Sequence, residues 1–315
     1  MSKILTAGSI AYDHLMNFDG EFRHSILEGK DLKKMSVSFL AKNKDLNFGG
    51  CAPNIAYGLS LLGDEAAVVG VGGNDFFEYE KILRKKNIIT DFVDIDNESV
   101  TAVAYILTDK NQGQIAIFYP GAMSNENVGF GVEKFDFEGY EYGIISPELP
   151  ARMHFWSKLF KDFSIPYIFD PGQAIPALTN DQFLEITKYS AGLIFNEYEA
   201  DLIESKLGLS VEKLAKDKEF VIKTLGADGC EVYTKNGANS FSVPAISGLT
   251  EVDSTGCGDA FRSGFIHGIT NGFGLKRACE MGNTAASFVV VEKGTQSHFY
   301  DEGTFMERLV ENYGE

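Results

Sequence analysis

No apolar run in this chain is long enough to cross a bilayer; the apolar stretches are short and broken by charge, which excludes a helical membrane span. Met1 to Gly8 also lacks the apolar core of a secretory leader, so the expected compartment is cytoplasmic. Basic residues are scarce: 28 against 45 acidic ones, for a formal charge of −17. A chain this acidic has no electrostatic footprint for a phosphate backbone, so neither nucleic acid nor membrane is an expected partner. Only four cysteines occur, Cys51, Cys230, Cys257 and Cys279, with no CxxC or Cys/His ligand spacing and no HExxH. That excludes structural zinc and suits a reducing compartment. Internal repeats and low-complexity linkers are absent as well.

What is present suits one α/β chain of 315 residues, 44% of them hydrophobic. Lys3–Gly8 reads as a short strand, which would put Ser9 and Asp13 just past its carboxyl end, where open α/β sheets bind ligands. Met35–Leu40 alternates like a half-exposed strand. Asn47–Asn54 brings Gly49 and Gly50 to the start of an apolar helix running through Leu62. Glu65–Val71 reads as a buried strand; the Gly70-x-Gly72 that ends it lacks the third glycine of a dinucleotide fingerprint, so that reading is rejected. Thr101–Thr108 and Gln114–Tyr119 form a hairpin by pattern, and with Met35–Leu40 they could make a small antiparallel lid. From Glu141 strands and helices alternate, and Asp170, Asn196 and Thr224 each end an apolar run. Such alternation implies a largely parallel sheet covered on both faces, with polar groups along one edge.

The stretch Val252–His267 is small, polar and glycine-punctuated in front and apolar behind, at Phe261, Phe265 and Ile266. Gly256, Cys257 and Gly258 then stand at a helix start, whose unpaired amides and positive dipole end favour an anion. Asp259 beside them would repel a phosphate that was merely bound. It makes sense if a hydroxyl must lose its proton there while the amides neutralise a transferring phosphoryl group. A capped core helix would use the same residues. No Walker A Gly-Lys-Ser/Thr and no protein-kinase His-Arg-Asp or Asp-Phe-Gly set occurs, which leaves the helix start as the phosphate cradle.

Four separated motifs together resemble the ribokinase-like family of carbohydrate and nucleoside kinases: Gly49-Gly50 with Asn54, Asn196-Glu-Tyr-Glu199, Thr224-Leu-Gly226 through Gly229, and Asp253-Ser-Thr-Gly-Cys-Gly-Asp259. Their order and spacing span nearly the whole chain. Within the family, Gly8 to Met16, Phe118 to Met123 and Gly258 to Arg262 look like bacterial adenosine kinases. The resemblance implies a three-layer α/β/α sandwich with a mostly parallel sheet. It also implies a single domain, residues 1–315, with β-lid segments at about 14–46 and 98–121. The implied activity is ATP-dependent phosphorylation of the 5′-hydroxyl of adenosine, in purine salvage, with Mg²⁺ and room for a monovalent cation such as K⁺ near Asp253. Homodimers through the lid are implied too. Ribose or fructose, inosine or guanosine, and a non-catalytic nucleoside binder remain the alternatives.

Carried over residue by residue, Asp259 matches the catalytic base and the Gly256, Cys257 and Gly258 amides match the anion hole. Ser9, Asp13, Ser38, Gly50, Asn54, Phe118 and Gln173 match substrate positions, with Asp13 on the ribose hydroxyls and Phe118 stacked on the base. Asn196, Thr224, Gly226 and Gly229 match the ATP side, and Glu199 a residue that organises Mg²⁺ through water. Two departures stand out. Ala104 occupies the place of a second base-stacking aromatic, with Tyr105 adjacent, and Cys257 replaces alanine, where a helix start would lower a thiol pKa. Arg262 could meet phosphate or an acidic partner.

Overall fold

The computed structural model describes residues 2–25, 37–111, 113–131, 136–235 and 240–315. The main sheet is laid down by β1 (Lys3–Ala7), β4 (Glu65–Gly73), β5 (Ile89–Asp96), β8 (Tyr142–Ile145), β9 (Tyr167–Phe169), β10 (Gly192–Asn196), β11 (Phe220–Thr224), β12 (Cys230–Thr234) and β13 (Phe241–Val243). Their order is β13-β12-β11-β10-β9-β8-β1-β4-β5. All pairs are parallel except β11–β12 and β12–β13. Strands such as Glu-Ala-Ala-Val-Val-Gly-Val-Gly-Gly in β4 are nearly unbroken apolar runs because both of their faces are buried.

Helices cover the two faces. Around Ile4, Ile144, Ile168 and Ile194 pack α2 (Cys51–Leu61), α3 (Phe77–Lys85), α8 (Cys257–Thr270) and α9 (Leu275–Val289). Leu5, Ile145, Phe169 and Leu193 instead pack against α4 (Pro150–Asp162), α5 (Asn180–Tyr189) and α6 (Glu197–Leu207). That neighbouring residues of one strand join opposite clusters is the two-residue period of a strand made visible. Helix α10 (Glu302–Tyr313) closes a third cluster with Phe288 and Tyr300, and the short α1 (Phe22–Ser25) and α7 (Val211–Leu214) complete the set.

A second sheet, ordered β3-β2-β6-β7, consists of β2 (Ala11–Asn17), β3 (Asn43–Gly49), β6 (Ala102–Thr108) and β7 (Gln114–Tyr119). Here the structure departs from the sequence reading in several places. The sheet is mixed rather than antiparallel, since β2 and β6 run parallel. Residues 37–40 are not a strand, and Met35 and Ser36 lie outside the described residues; the third strand falls at Asn43–Gly49, whose polar residues hide its period. Asp13, past the carboxyl end of β1 as expected, sits within a strand of its own, β2, and the edge strand β5 had no counterpart in the reading.

The chain leaves β1 toward β4 on one side and later returns through β8 on the other, so β1 and β8 flank a topological switch point. Only residues 8–10 separate β1 from β2. The second sheet therefore stands directly over the carboxyl edge of the main one.

Candidate active site

At that edge five of the expected residues meet. Ser9, 6% exposed, accepts the Cys51 amide N–H on its Oγ at 3.2 Å. Gly50 precedes α2 at φ +92°; a Cβ there would lie 2.5 Å from the Ser9 carbonyl oxygen, so only glycine lets this loop close on the 8–10 junction. One turn later Asn54 Nδ2 donates to Asp259 Oδ2 at 2.9 Å. Gly49 lies against Asp13, where a Cβ would come 2.2 Å from Oδ2.

Asp259 occupies the first turn of α8, which opens on Gly256 at φ +86°. Burial pushes its carboxyl up to about 6, with the Asn54 hydrogen bond and Arg262 opposing and Asp170 and Asp13 adding to the rise. Asp13 is likewise pushed up to about 6, by burial and then by Asp253. The helix start differs in detail from the expected anion hole. Cys257 N–H already donates to Ser254 O at 3.2 Å, whereas among the described residues the Gly256, Gly258 and Asp259 N–H groups have no protein acceptor. The Cys257 thiol is pushed up to about 12 by burial and by Asp253, Glu251 and Asp259, so burial and these carboxylates outweigh the helix dipole and favour the neutral thiol.

Arg262, one turn into α8, is resolved in favour of an acidic partner. Its guanidinium forks onto Asp170, Nε to Oδ2 and Nη2 to Oδ1 at 2.8 Å, while Nη1 donates to Gly258 O at 2.9 Å. The pair therefore stiffens the helix start from below.

Register sets one face of the second sheet. Asn47, Asp13, Ala104 and Phe118 form one row across β3-β2-β6-β7, and directly paired residues share a face. Phe118 is 50% exposed, and Ala104, paired with it, carries only a methyl group. Gln173 lies exposed on the short turn Gly172–Ala174, just past Asp170, without a hydrogen bond to the cluster. Ser38 sits in the irregular stretch before β3, equally unconnected among the described residues.

On the far side of α8 a groove of about 580 Å³ runs between Gly226, Ala227, Leu249, Ser254, Cys257 and Asn283. Thr224 pairs with Asn196 across β11 and β10, and Gly226 (φ +58°) and Gly229 (φ +93°) make the turn beyond it. Asn196 and Glu199 form a reciprocal capping box at 2.8 Å each way, which explains their spacing structurally. One Glu199 oxygen stays without a protein partner among the described residues, and burial and Asp170 raise its pKa. Its setting fits a cation held through water, though no group of three or more metal-binding side chains occurs among the described residues. Both Asp253 oxygens take backbone donors, Thr255 N at 2.9 Å and Gly294 N at 3.1 Å.

The sequence reading missed three members of the site. Asp170 was visible only as a polar end to an apolar run, and its pairing with Arg262 had no signal. Tyr79 and Gln296 stand behind Asn54, and neither spacing nor motif pointed to them.

A helix start with free amides facing a buried carboxylate, on the carboxyl edge of a doubly covered sheet, is the arrangement a phosphotransferase acting on a hydroxyl requires. The family model of pfkB carbohydrate kinases matches residues 12–301, and the chain belongs to that family, whose kinases are ATP-dependent. Among curated proteins it is similar to a nucleoside kinase of Methanocaldococcus jannaschii, 27% identical over 98% of this chain and 97% of the relative. More distantly it is similar to the adenosine kinase of Saccharomyces cerevisiae, 25% identical over 78% of each chain. Among solved structures, the nucleoside kinase of Burkholderia thailandensis in complex with inosine superposes with a TM-score of 0.86 at 29% identity, covering 99% of this chain and 98% of that one. The ribokinase of Thermotoga maritima, with a TM-score of 0.79 at 23% identity over 98% and 99%, shares the fold.

Proposed function

We propose that this protein is a nucleoside kinase that transfers the γ-phosphoryl group of ATP to the ribose 5′-hydroxyl of a purine nucleoside, adenosine first among them, giving the monophosphate and ADP. The observation that carries the reading is the row Asp13–Ala104–Phe118. Strands lie about 4.8 Å apart, so a carboxylate and an open aromatic face are set about 10 Å apart on one surface, which suits a ribose joined to a base. A free sugar held at Asp13 would leave Phe118, about 10 Å away, without a partner. The relatives support the choice of a nucleoside, and one is known in complex with inosine.

In this reading Asp13 binds the ribose hydroxyls, with Ser9, Ser38, Gly50, Asn54 and Gln173 around the sugar. Asp259 holds the 5′-hydroxyl and accepts its proton late, because phosphoryl transfer has a loose transition state and needs little prior deprotonation. A carboxyl pushed up to about 6 is well matched to that task near neutral pH. The free amides of Gly256, Gly258 and Asp259 stabilise charge on the transferring group. ATP lies in the groove beside Asn196, Thr224, Gly226 and Gly229. Glu199 would hold Mg²⁺ through water, and the ion supplies phosphate charge neutralisation. We read the second sheet as a lid on the sugar, inserted in one catalytic domain, and a cytoplasmic setting fits the absence, among the described residues, of any helix long and apolar enough to cross a membrane.

ADP release should be followed with adenosine, inosine, guanosine, ribose and fructose as acceptors, for the wild type and Asp259→Asn. We expect kcat/KM for a purine nucleoside to exceed that for ribose by about 5- to 150-fold, the worth of one stacked base. Asp259→Asn should keep nucleoside binding by calorimetry and lose about 10²–10⁴ in turnover. Preference for a free sugar, or near-normal turnover by Asp259→Asn, would refute the reading.

A further inference from the structure

We infer that Gln296, in the loop after α9, is a positioning residue that fixes which end of the Asn54 amide faces Asp259. The argument is one of hydrogen-bond direction. The Gly49 carbonyl, at the end of β3, can only accept, and it takes the Tyr79 hydroxyl proton at 2.9 Å. With its proton committed, Tyr79 can only accept from Gln296, whose Nε2 stands 2.6 Å from the hydroxyl oxygen. That fixes the Gln296 amide, so the group 2.9 Å from Asn54 is an N–H and the Asn54 atom facing it is Oδ1. Asn54 Nδ2 is thereby left to donate to Asp259 Oδ2. Each step has one allowed polarity, and the chain of choices begins at a backbone carbonyl.

Neither end can reverse cheaply. Tyr79 is fully buried among Tyr12, Phe48 and Phe76, and Gln296 is half-buried with its Oε1 enclosed and unpartnered. The charged and titratable groups facing Asp259 are Asp13 from β2, Cys51 from α2, Tyr79 from α3, Asp170 after β9, and Cys257 and Arg262 on its own helix. Among the described residues, Asn54 is the one neutral side chain hydrogen-bonded to the carboxylate, so its orientation decides whether that bond opposes the effect of burial.

The proposal rests on the role given to Asp259 above, and its test separates the two. The Asp259 carboxyl is titrated by ¹³C NMR in aspartate-labelled protein, with the signal assigned by its loss in Asp259→Asn, for the wild type, Gln296→Leu, Gln296→Glu and Tyr79→Phe. Gln296→Leu removes the donor and should raise the Asp259 pKa by about one pH unit, since one hydrogen bond to a charged group is at stake. Adenosine turnover should fall about 10-fold with KM within about 3-fold, because orientation of the base rather than binding is lost. Gln296→Glu keeps the shape but sets an acceptor against Asn54 Oδ1, so it should be at least as harmful as leucine. Tyr79→Phe removes the anchor and should act in the same direction, less strongly. A residue that merely fills space predicts the reverse order, with glutamate nearly silent and only the melting temperature lowered by leucine. That order, or an unmoved Asp259 titration in both Gln296 variants, overturns the inference. A shifted titration in a protein that phosphorylates no nucleoside upholds the wiring and rejects the kinase reading.

Discussion

Replacing Asp170 by asparagine would leave the Arg262 guanidinium charged inside the protein without its hydrogen-bonded carboxylate, Asp259 and Glu199 being the acidic groups that remain near it. Asp170 is 2% and Arg262 6% exposed, and the pair is bidentate, so water replaces little of what is lost. Breaking a buried pair from one side costs about 3–5 kcal/mol. For a chain of 315 residues, with an unfolding entropy of about 2.1 cal/mol/K per residue, that is a fall in Tm of roughly 5–8 °C. A second effect follows at Asp259, which Asp170 pushes up and Arg262 pulls down. With Asp170 neutral, the freed guanidinium prevails and the Asp259 pKa drops below about 6. Under the role proposed for Asp259 the ionised carboxylate is the active form, so the acid limb of kcat/KM for adenosine should move to lower pH. Thermal unfolding and a pH–rate profile of the same variant test both. The double variant Asp170→Asn with Arg262→Met should recover much of the stability, because no lone charge remains buried. A loss below about 1 kcal/mol with an unmoved acid limb would show that the pair does not do what its burial implies.

Two further outcomes are expected. Asp259 has a folded pKa raised above its ordinary 3.8, so the folded state binds more protons between about pH 4 and 6 and its contribution to stability is lost as pH rises through that window. Asp259→Asn should therefore stabilise the ligand-free protein increasingly from pH 4 to 7, by on the order of 2 kcal/mol at the top, measured as the difference in unfolding free energy between variant and wild type; a difference that is flat with pH would remove the basis for the raised pKa. On the other face of the second sheet Leu46, Tyr105 and Ile117 lie in one row at 53%, 38% and 64% exposure, and we propose that two lids pair through it to form a homodimer. Sedimentation should show a dimer that Tyr105→Glu with Ile117→Glu converts to monomer, whereas a monomeric wild type at tens of micromolar would exclude that interface.

The main sheet was legible in the sequence because its parallel strands are buried on both faces and so read as apolar runs between helices. The second sheet was harder. Its strand Asn43–Gly49 is Asn-Lys-Asp-Leu-Asn-Phe-Gly, held by pairing with β2 rather than by an apolar face, and the apparent alternation at 35–40 drew the reading away from it. The placement of Asp259, Asn54 and Gly50 was legible because it depends on local context, a helix start or a left-handed turn, that a short motif encodes. Arg262 with Asp170, and Gln296 with Tyr79, depend on side chains that meet only after the sheet is assembled. No local pattern carries such information. The asparagine-to-glutamate spacing of residues 196 and 199 shows the opposite hazard, since a motif matched for its ATP side is also a helix cap.

The row across the second sheet has a consequence for how this enzyme could change its diet. Asp13 belongs to β2, which continues from β1 and is tied to the reacting edge, while Ala104 and Phe118 belong to the hairpin β6–β7. In the proposed reading, sugar and base are thus met by separate pieces of chain that share one surface. Changes confined to that hairpin can trade one base for another, or fill the base site and leave room only for a sugar, without disturbing the carboxylate that takes the proton. On that reading, acceptor choice and phosphoryl transfer would be separately inheritable parts of the same fold.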